Sequence, residues 1–592
     1  MSTSATMMYE WHDIPWRKLE GGVFKLQKRI YQASGRGDVE AVHKLQRLLI
    51  KSKAAALLAV RRVAQDNQGK RTAGIDGLAS LPDQQKLDLA CKVMSDPLVP
   101  KAKPVRRVWI PKPGKDEQRP LGIPVMEDRA RQALAKMALE PEWEAKFEPT
   151  SYGFRPGRSC HDAIADIFNH VKHATKCVLD ADIAKCFDRI NHEALLTKLG
   201  TFPQLRRAVK AWLKAGIMDG GELFPTSEGT PQGGVISPLL ANIALHGFGT
   251  AIESAFQQFK CPPGQHRILW KPTVIRYADD FVVFHRDLEA LNHAQQVAAE
   301  WLRGMGLEMK PSKTRITHTL EAIDGPAGFD FLGFHVRQYA RGKNRCVHGT
   351  HGDPVGFVPS IRPGPESQKR FLAKIGDIIS SNRNVHQAGL IRLLNPIIRG
   401  WGNYYSTVVS KAIFQKMDML IFRKLWAWAS YRHANKGRRW IAHRYWLLGT
   451  RGWTFGIDGK ITLHKLAEIP IRRHIKVQGH RSPFDGDAVY WSTRMGAYPE
   501  LRPSMARALK AQQGHCPGCG LFFKPGDEMV FVRLSREPPD LEPGPLTLVH
   551  DHCQDLTQQM VCDDKHCFAE EPDEGKPSRP VLKPSTGSDA RA

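Results

Sequence analysis

Apolar residues recur at helical spacing from about Trp16 to Val63, as at Val42, Leu45 and Leu49, with Lys and Arg between them. That periodicity predicts amphipathic helices with a basic outer face. Gly74-Ile75-Asp76-Gly77 then interrupts the pattern with turn residues. From Val105 to Pro124 two short apolar runs flank a Pro-Gly turn, which predicts a β-hairpin with cations on both arms. Glu127 to Phe147 reads as helix, and Ser151 to Ser159 (SYGFRPGRS) as a Gly- and Arg-rich loop. Val178 to Ile183 alternates, so Asp180 and Asp182 share one face of a strand while Leu179, Ala181 and Ile183 share the other. Glu228 to Asn242 joins a Gly/Pro loop to a helix starting near Ser237-Pro238, read as an N-cap followed by proline in the first turn. Val274 to Phe284 (VIRYADDFVVF) is two apolar runs meeting at Ala278-Asp279-Asp280, a hairpin with adjacent carboxylates at its tip. Another strand-like run covers Phe329 to Phe334, and three helical runs with interleaved aromatic and basic residues fill Arg362 to Trp446.

Composition narrows what such elements serve. A chain of 592 residues exceeds one core and predicts about three to five domains. Lys plus Arg outnumber Asp plus Glu by 86 to 60, a net charge of +26, which favours a polyanionic partner such as nucleic acid. The longest apolar run, Ala54 to Val60, is too short to span a bilayer, and the N-terminus has no signal-peptide apolar region, so a cytoplasmic protein without a membrane partner is expected. Five of the 11 cysteines fall between Cys516 and Cys567, pointing to a small metal module rather than a disulfide scaffold.

The chemistry follows from these placements. Neighbouring aspartates repel one another, so setting Asp279 and Asp280 between runs that want burial makes sense around a hard cation, and Mg²⁺ takes such oxygen ligands. Asp180 or Asp182 would complete the set, and spacing leaves the two equivalent. Lys112 and Arg119 sit on opposite arms of the basic hairpin, where charge-assisted bonds would clamp a triphosphate. Gly229, Gly233 and Gly234 let backbone approach a bulky ligand closely. Near the C-terminus, Cys516 and Cys519 precede His550 and Cys553 by about thirty residues, a spacing compatible with tetrahedral zinc. Cys562, His566 and Cys567 are further candidates.

The order LGIP, SYGFRPGRS, DIAKCFD, GTPQGGVISPLLAN, YADD, KPSKT and FLGF resembles that of bacterial group II intron-encoded reverse transcriptases, which also serve as maturases. The resemblance covers most of residues 16 to 480. It implies an α+β right-hand polymerase with a palm bearing the YADD hairpin, an α-helical thumb that is also the maturase domain, and a small HNH-like zinc-binding module. Residues 1–77 correspond to an N-terminal extension, with Leu-Gln repeats at Leu26-Gln27 and Leu45-Gln46, that contacts template and intron RNA. Fingers and palm span 78–340, thumb 341–478, a DNA-binding linker 479–513, the zinc module 514–568 and a disordered tail 569–592. The implied catalytic carboxylates are Asp182, Asp279 and Asp280, with two Mg²⁺ ions on Asp182 and Asp279. Lys112, Arg119, Phe187, Gln232 and Lys313 take the nucleotide-binding positions, with Phe187 crowding the sugar 2′ carbon. Phe331, Leu332 and Gly333 resemble the primer grip. Partners implied are group II intron RNA, target DNA and dNTPs, with room for a homodimer. One departure stands out: where the family carries a catalytic His pair between the cysteine pairs, this chain reads MVFVRLSR from Met529 to Arg536. Without a base or metal ligand there, DNA cleavage lacks its machinery and endonuclease activity is not expected. The expected function is RNA-directed DNA polymerisation with maturase activity and support of intron mobility. The alternatives are a domesticated, non-intron reverse transcriptase in host defence, or an RNA-binding splicing cofactor alone.

Overall fold

A computed structural model describes residues 10–111, 117–256, 271–323, 325–349, 352–449, 452–533 and 546–554. Lys112, Cys562, His566, Cys567 and the tail lie outside the described residues. The chain divides into two compact units, Met1–Gly486 and Asp487–Ala592.

The first unit opens with helices Trp16–Gly35, Val39–Ile50, Lys53–Arg61 and Asp83–Ser95. Asp38 and Ser52 start the second and third by accepting from the backbone N–H of Ala41 and Ala55 at 3.0 and 3.4 Å. The apolar stripe, including Val42 and Leu49, is buried against the long helix Met126–Glu144. Both glutamines of the Leu-Gln repeats also turn inward onto that helix. Gln27 donates to the Met137 carbonyl at 3.0 Å, and Gln46 to Ala138 and Glu142 at 3.2 and 2.7 Å. The cations point outward instead, and Arg29, Arg36, Lys44, Arg47 and Lys51 line a groove between the first two helices.

The basic hairpin forms as Val105–Pro111 paired with Gln118–Ile123, extended by short strands Ile217–Asp219 and Glu222–Phe224 into one sheet. The palm sheet has the order Thr273–Tyr277, Asp280–His285, Cys177–Asp182, Arg315–His318, all pairs antiparallel. Its alternation feeds two cores. Leu179, Ala181, Phe281 and Val283 face one with the N-terminal helices, while Val178, Ile275, Val282 and Phe284 face the other with the thumb. The helix after the Gly/Pro loop, Ser237–Leu245, begins at Ser237 itself, with Ile236 at the cap and no side-chain capping bond, so Ser237 is not the N-cap that its sequence context suggests. Past a sheet of Phe329–Phe331, Phe334–Ala340 and Phe357–Pro363, the thumb carries Pro365–Ser381, Gln387–Tyr405, Lys411–Arg432 and Arg438–Tyr445. The three helical runs expected there are thus four helices, because the break after Ser381 falls in a polar stretch, Ser-Asn-Arg-Asn, that periodicity does not register. No described helix is long and apolar enough to cross a membrane.

In the second unit, helices Ala488–Met495 and Pro503–Ala511 pack with a hairpin of Met529–Arg533 and Leu546–His550. Val489, Leu509, Phe523, Val532, Leu548 and Val549 share a small core with Cys516 and Cys553.

Candidate active site

Strand register assembles the carboxylates. Asp182 ends its strand directly opposite Asp280, with Asp279 in the adjoining turn. Asp180 lies two residues back, where Arg315 neutralises it at 3.0 Å. Of the two, Asp182 stands level with the hairpin tip and Asp180 does not. Burial together with Asp279 and Asp182 pushes the Asp280 carboxyl up to about 7. Burial, reinforced by Asp182, also raises Asp279. A cation already answers this charge. Lys313 donates its ammonium to Asp182, and although burial opposes its charge, that bond and the neighbouring aspartates hold its pKa above the ordinary value. Arg119 lies close enough to act on Asp279.

The turn that holds the two aspartates is strained, with Ala278 at φ +59°. What holds it is a buried arginine. Arg276 donates to the Ala278 carbonyl at 3.0 Å, to Asn242 at 3.2 Å and to the Ser151 hydroxyl at 2.8 Å. The SYGFRPGRS loop runs alongside: the Tyr152 N–H donates to the Arg276 carbonyl at 2.9 Å, and the Asn242 amide donates to the Gly153 carbonyl at 2.7 Å. A Cβ on Gly153 would fall 2.3 Å from the Ala278 nitrogen, so only glycine permits this approach. Arg276, Ser151, Gly153 and Asn242 are functional supports that sequence reading missed. Only the glycine carried a signal, as a small residue in a loop already marked by its Gly and Arg content.

Of the nucleotide-binding candidates, Phe187 and Gln232 meet where the Gly/Pro loop packs on the segment after Asp182. Phe187 is half-buried in a turn that begins with Lys185 at φ +45°, and the ring of Phe154 meets it edge-on at 6.0 Å. The Gly/Pro loop packs on this turn backbone to backbone. Thr230 N–H donates to the Phe187 carbonyl at 2.5 Å, and a Cβ on Gly229 would fall 2.6 Å from Asp188. Gln232 donates to Asp188 at 3.3 Å, while its carbonyl accepts from Gly122 at 2.6 Å. Phe331 and Gly333 flank Leu332 at φ +51°; Tyr404 and Tyr405 of the thumb donate to the Leu332 and Gly333 carbonyls, each at 3.0 Å.

In the second unit, ligand atoms of Cys516, Cys519, His550 and Cys553 lie within 4.8 Å of one another. His550 turns Nδ1 toward Cys519 at 3.4 Å and places Nε2 3.1 Å from Asp527. A carboxylate behind an imidazole fixes its tautomer in metal sites. Asp527 is another residue sequence reading passed over.

A palm sheet with clustered carboxylates at a hairpin tip, a cationic hairpin in front and a helical thumb behind defines a right-hand nucleic-acid polymerase. Residues 110–336 match the family described as reverse transcriptase (RNA-dependent DNA polymerase), residues 11–93 the N-terminal domain of reverse transcriptase, and residues 368–446 the group II intron, maturase-specific domain. Protein YkfC of Escherichia coli (strain K12) is 33% identical over 337 residues, 51% of this chain and 87% of that protein. Group II intron-encoded protein LtrA of Lactococcus lactis subsp. cremoris is 37% identical over 412 residues, 57% of this chain and 66% of its own length. The chain belongs to the group II intron reverse transcriptase and maturase family, with RNA-directed DNA polymerase and splicing-maturase function. Its maturase domain implies intron RNA as partner, and its polymerase domain implies dNTPs and a divalent metal ion.

Proposed function

We propose that Asp182, Asp279 and Asp280 carry Mg²⁺-dependent copying of RNA into DNA, and that the protein supports splicing and mobility of its host group II intron. The observation that supports this site is the register of Asp182 opposite Asp280, beside Asp279, with the Lys313 ammonium seated among them. An all-oxygen donor set whose charge already draws a cation fits Mg²⁺. Asp182 and Asp279 would hold the two ions, with Asp280 behind. Bound there, Mg²⁺ would lower the pKa of the primer 3′-hydroxyl and neutralise charge on the pyrophosphate. The chain's own residues do the rest. The Phe331-Leu332-Gly333 turn, held by two thumb tyrosines, positions the primer end. Arg119, Lys112 and Lys313 take the triphosphate, Gln232 lies along the nascent base pair, and the Phe187 ring leaves no room for a 2′-hydroxyl. The basic groove of the N-terminal helices fits RNA phosphates, whose binding weakens steeply with salt.

The second unit is read as a zinc-stabilised, HNH-like module on Cys516, Cys519, His550 and Cys553 that contacts target DNA without cutting it. Priming then uses a DNA 3′ end already present. The decisive experiment is splicing of RNA transcribed from the gene's own flanks at low Mg²⁺, run beside primer extension on RNA, with wild type and Asp279→Ala. Rescue of splicing by both, with extension by wild type alone, is expected; cDNA synthesis without any splicing rescue would end the maturase part of the reading. Strand cleavage by the protein with its intron RNA, lost on Cys516→Ser, would contradict the non-cutting module.

A further inference from the structure

Beyond the maturase helices the chain runs from Leu463 to Asp487 with only a single helical turn, Leu466–Glu468. It is pinned throughout, and its anchors change sides abruptly. Up to Arg472 they belong to the thumb. Asp418 accepts from the backbone N–H of Leu466 and Ala467, each at 2.9 Å; Lys411 donates to the carbonyls of Ala467 and Ile469 at 2.7 and 2.8 Å; and the Arg472 N–H donates to Ser406 at 2.9 Å. From Arg473 on they belong to the palm. The Arg473 guanidinium lies 5.3 Å over Phe168, His474 Nε2 sits 3.0 Å from Asp162, and Lys476 donates to Asp166. Asp162 also accepts from the Val477 N–H at 2.8 Å, and Arg158 donates to the carbonyls of Gly479 and Arg481 at 2.9 and 3.2 Å. The ring of Phe484 finally meets Phe24 of the first N-terminal helix at 5.9 Å.

Two steps of chain separate the last thumb anchor, Arg472, from the palm anchor His474 on Asp162, a reach of about 7 Å when fully extended. No slack remains there. The thumb cannot swing from the palm at this edge unless one set of bonds breaks, and breaking the palm set strips partners from carboxylates that are 0% and 2% exposed at the side chain. Asp166 would keep the Tyr152 hydroxyl at 2.7 Å and Asp162 its bonds from Ser159, but each would lose a cationic or N–H donor in a buried place, which is disfavoured. Asp162 is doubly committed, because the same side chain caps the helix Cys160–Val171 through Ser159 at 2.8 Å. That helix follows directly on the loop that supports the Ala278 turn.

We propose that residues 472–481 form a latch that keeps the thumb closed over the template–product duplex, and that His474 and Lys476 are positioning residues for processive synthesis. The latch sets how long the enzyme stays on its template and leaves each chemical step alone. It lies beyond the matched maturase domain, so the polymerase extends past that domain's last residue.

The test uses full-length protein in primer extension on a long RNA template, with a heparin trap limiting each molecule to one binding event. The double variant His474→Ala/Lys476→Ala should shorten the median product by about fivefold, since changes in hold act mainly through dissociation. Single-nucleotide incorporation should keep its kcat and its KM for dNTP within about twofold. His474→Gln/Lys476→Arg, which restores both donors, should restore product length. Unchanged product length in the double variant overturns the proposal, as does a parallel fall of product length and single-nucleotide rate. Should the double variant lose its cooperative melting transition, Lys476→Ala alone is read by the same two criteria.

Discussion

The palm carboxylates and the cysteine–histidine cluster are both proposed ligand sets, yet they relate to their surroundings in opposite ways. Asp182, Asp279 and Asp280 crowd like charges onto a hairpin tip whose position is set by other groups: strand register, Arg276 and the Gly153 loop. Their mutual repulsion works against the fold. Cys516, Cys553 and His550 are themselves buried, and the two cysteines belong to the second unit's small core beside Val489, Leu509, Phe523, Val532, Leu548 and Val549. One site is built in spite of its ligands; the other is built out of them. A domain with a large core can hold a ligand set ready for its ion, whereas a small one needs the ion in order to fold.

This contrast can be broken most directly by removing metal. On the proposed zinc reading, chelation or Cys516→Ser should unfold the second unit, since structural zinc contributes on the order of 10 kcal/mol where it holds such modules. Two transitions in calorimetry should become one, while primer extension survives. Retention of both transitions after complete zinc removal would erase the contrast. Next in size is Asp279→Ala, expected to reduce primer extension by at least about a thousandfold, or ~4 kcal/mol in barrier height, with the melting temperature undiminished. A variant that lost activity by unfolding would put the aspartate among the supports of the fold.

A third test uses a carboxylate of the opposite kind in the same palm. Burial raises Glu148, but His246 at 3.6 Å and the charge of Arg276 outweigh it and hold the carboxyl at about 2, against an ordinary 4.5. A depressed pKa adds stability above pH 4.5 that is lost as pH falls toward 2, here about 3 kcal/mol at full effect. Urea midpoints should therefore drop between about pH 5 and pH 3 in wild type, and less so in Glu148→Gln. An equal drop in both would remove Glu148 from the account. The smallest effect sharpens the comparison most. Asp280→Asn replaces a carboxyl whose ionisation burial and its neighbours already disfavour, and above pH 7 should raise stability by about 1 kcal/mol while impairing synthesis, the usual trade at a strained site. A fall in melting temperature would show that the aspartate cluster is net stabilising.

The parts legible in the sequence were those whose chemistry is contiguous. The Asp-Asp pair, the alternating strand with Asp182 and the CxxC spacing each put their meaning within a few residues. Arg276 was not legible, because its role arises where Ser151, Asn242 and Ala278 converge from three separate segments. An arginine inside an apolar strand gives no hint of which carbonyl it will hold. Gln27 and Gln46, noted in the sequence only as parts of Leu-Gln repeats, gave no sign that they bond the neighbouring helix. Asp527 went unmarked, because its pairing with His550 joins segments more than twenty residues apart that local pattern does not connect. The thumb-to-palm segment, lacking periodicity altogether, read as linker beyond Gly479 although its backbone is bonded at Arg472, Val477, Gly479 and Arg481.

The close approach at Gly153 has a consequence for judging which genes of this kind still encode polymerases. Searching a reading frame for its three aspartates tests only the reagents. A single methyl group at position 153 would collide with the backbone of the hairpin tip, tilting the aspartates while leaving every one of them in the sequence. Such a gene would pass inspection as active and yield a protein able to help its intron splice but unable to copy it. The intron would then be stranded at its present address by a change of one small residue that takes no part in the chemistry.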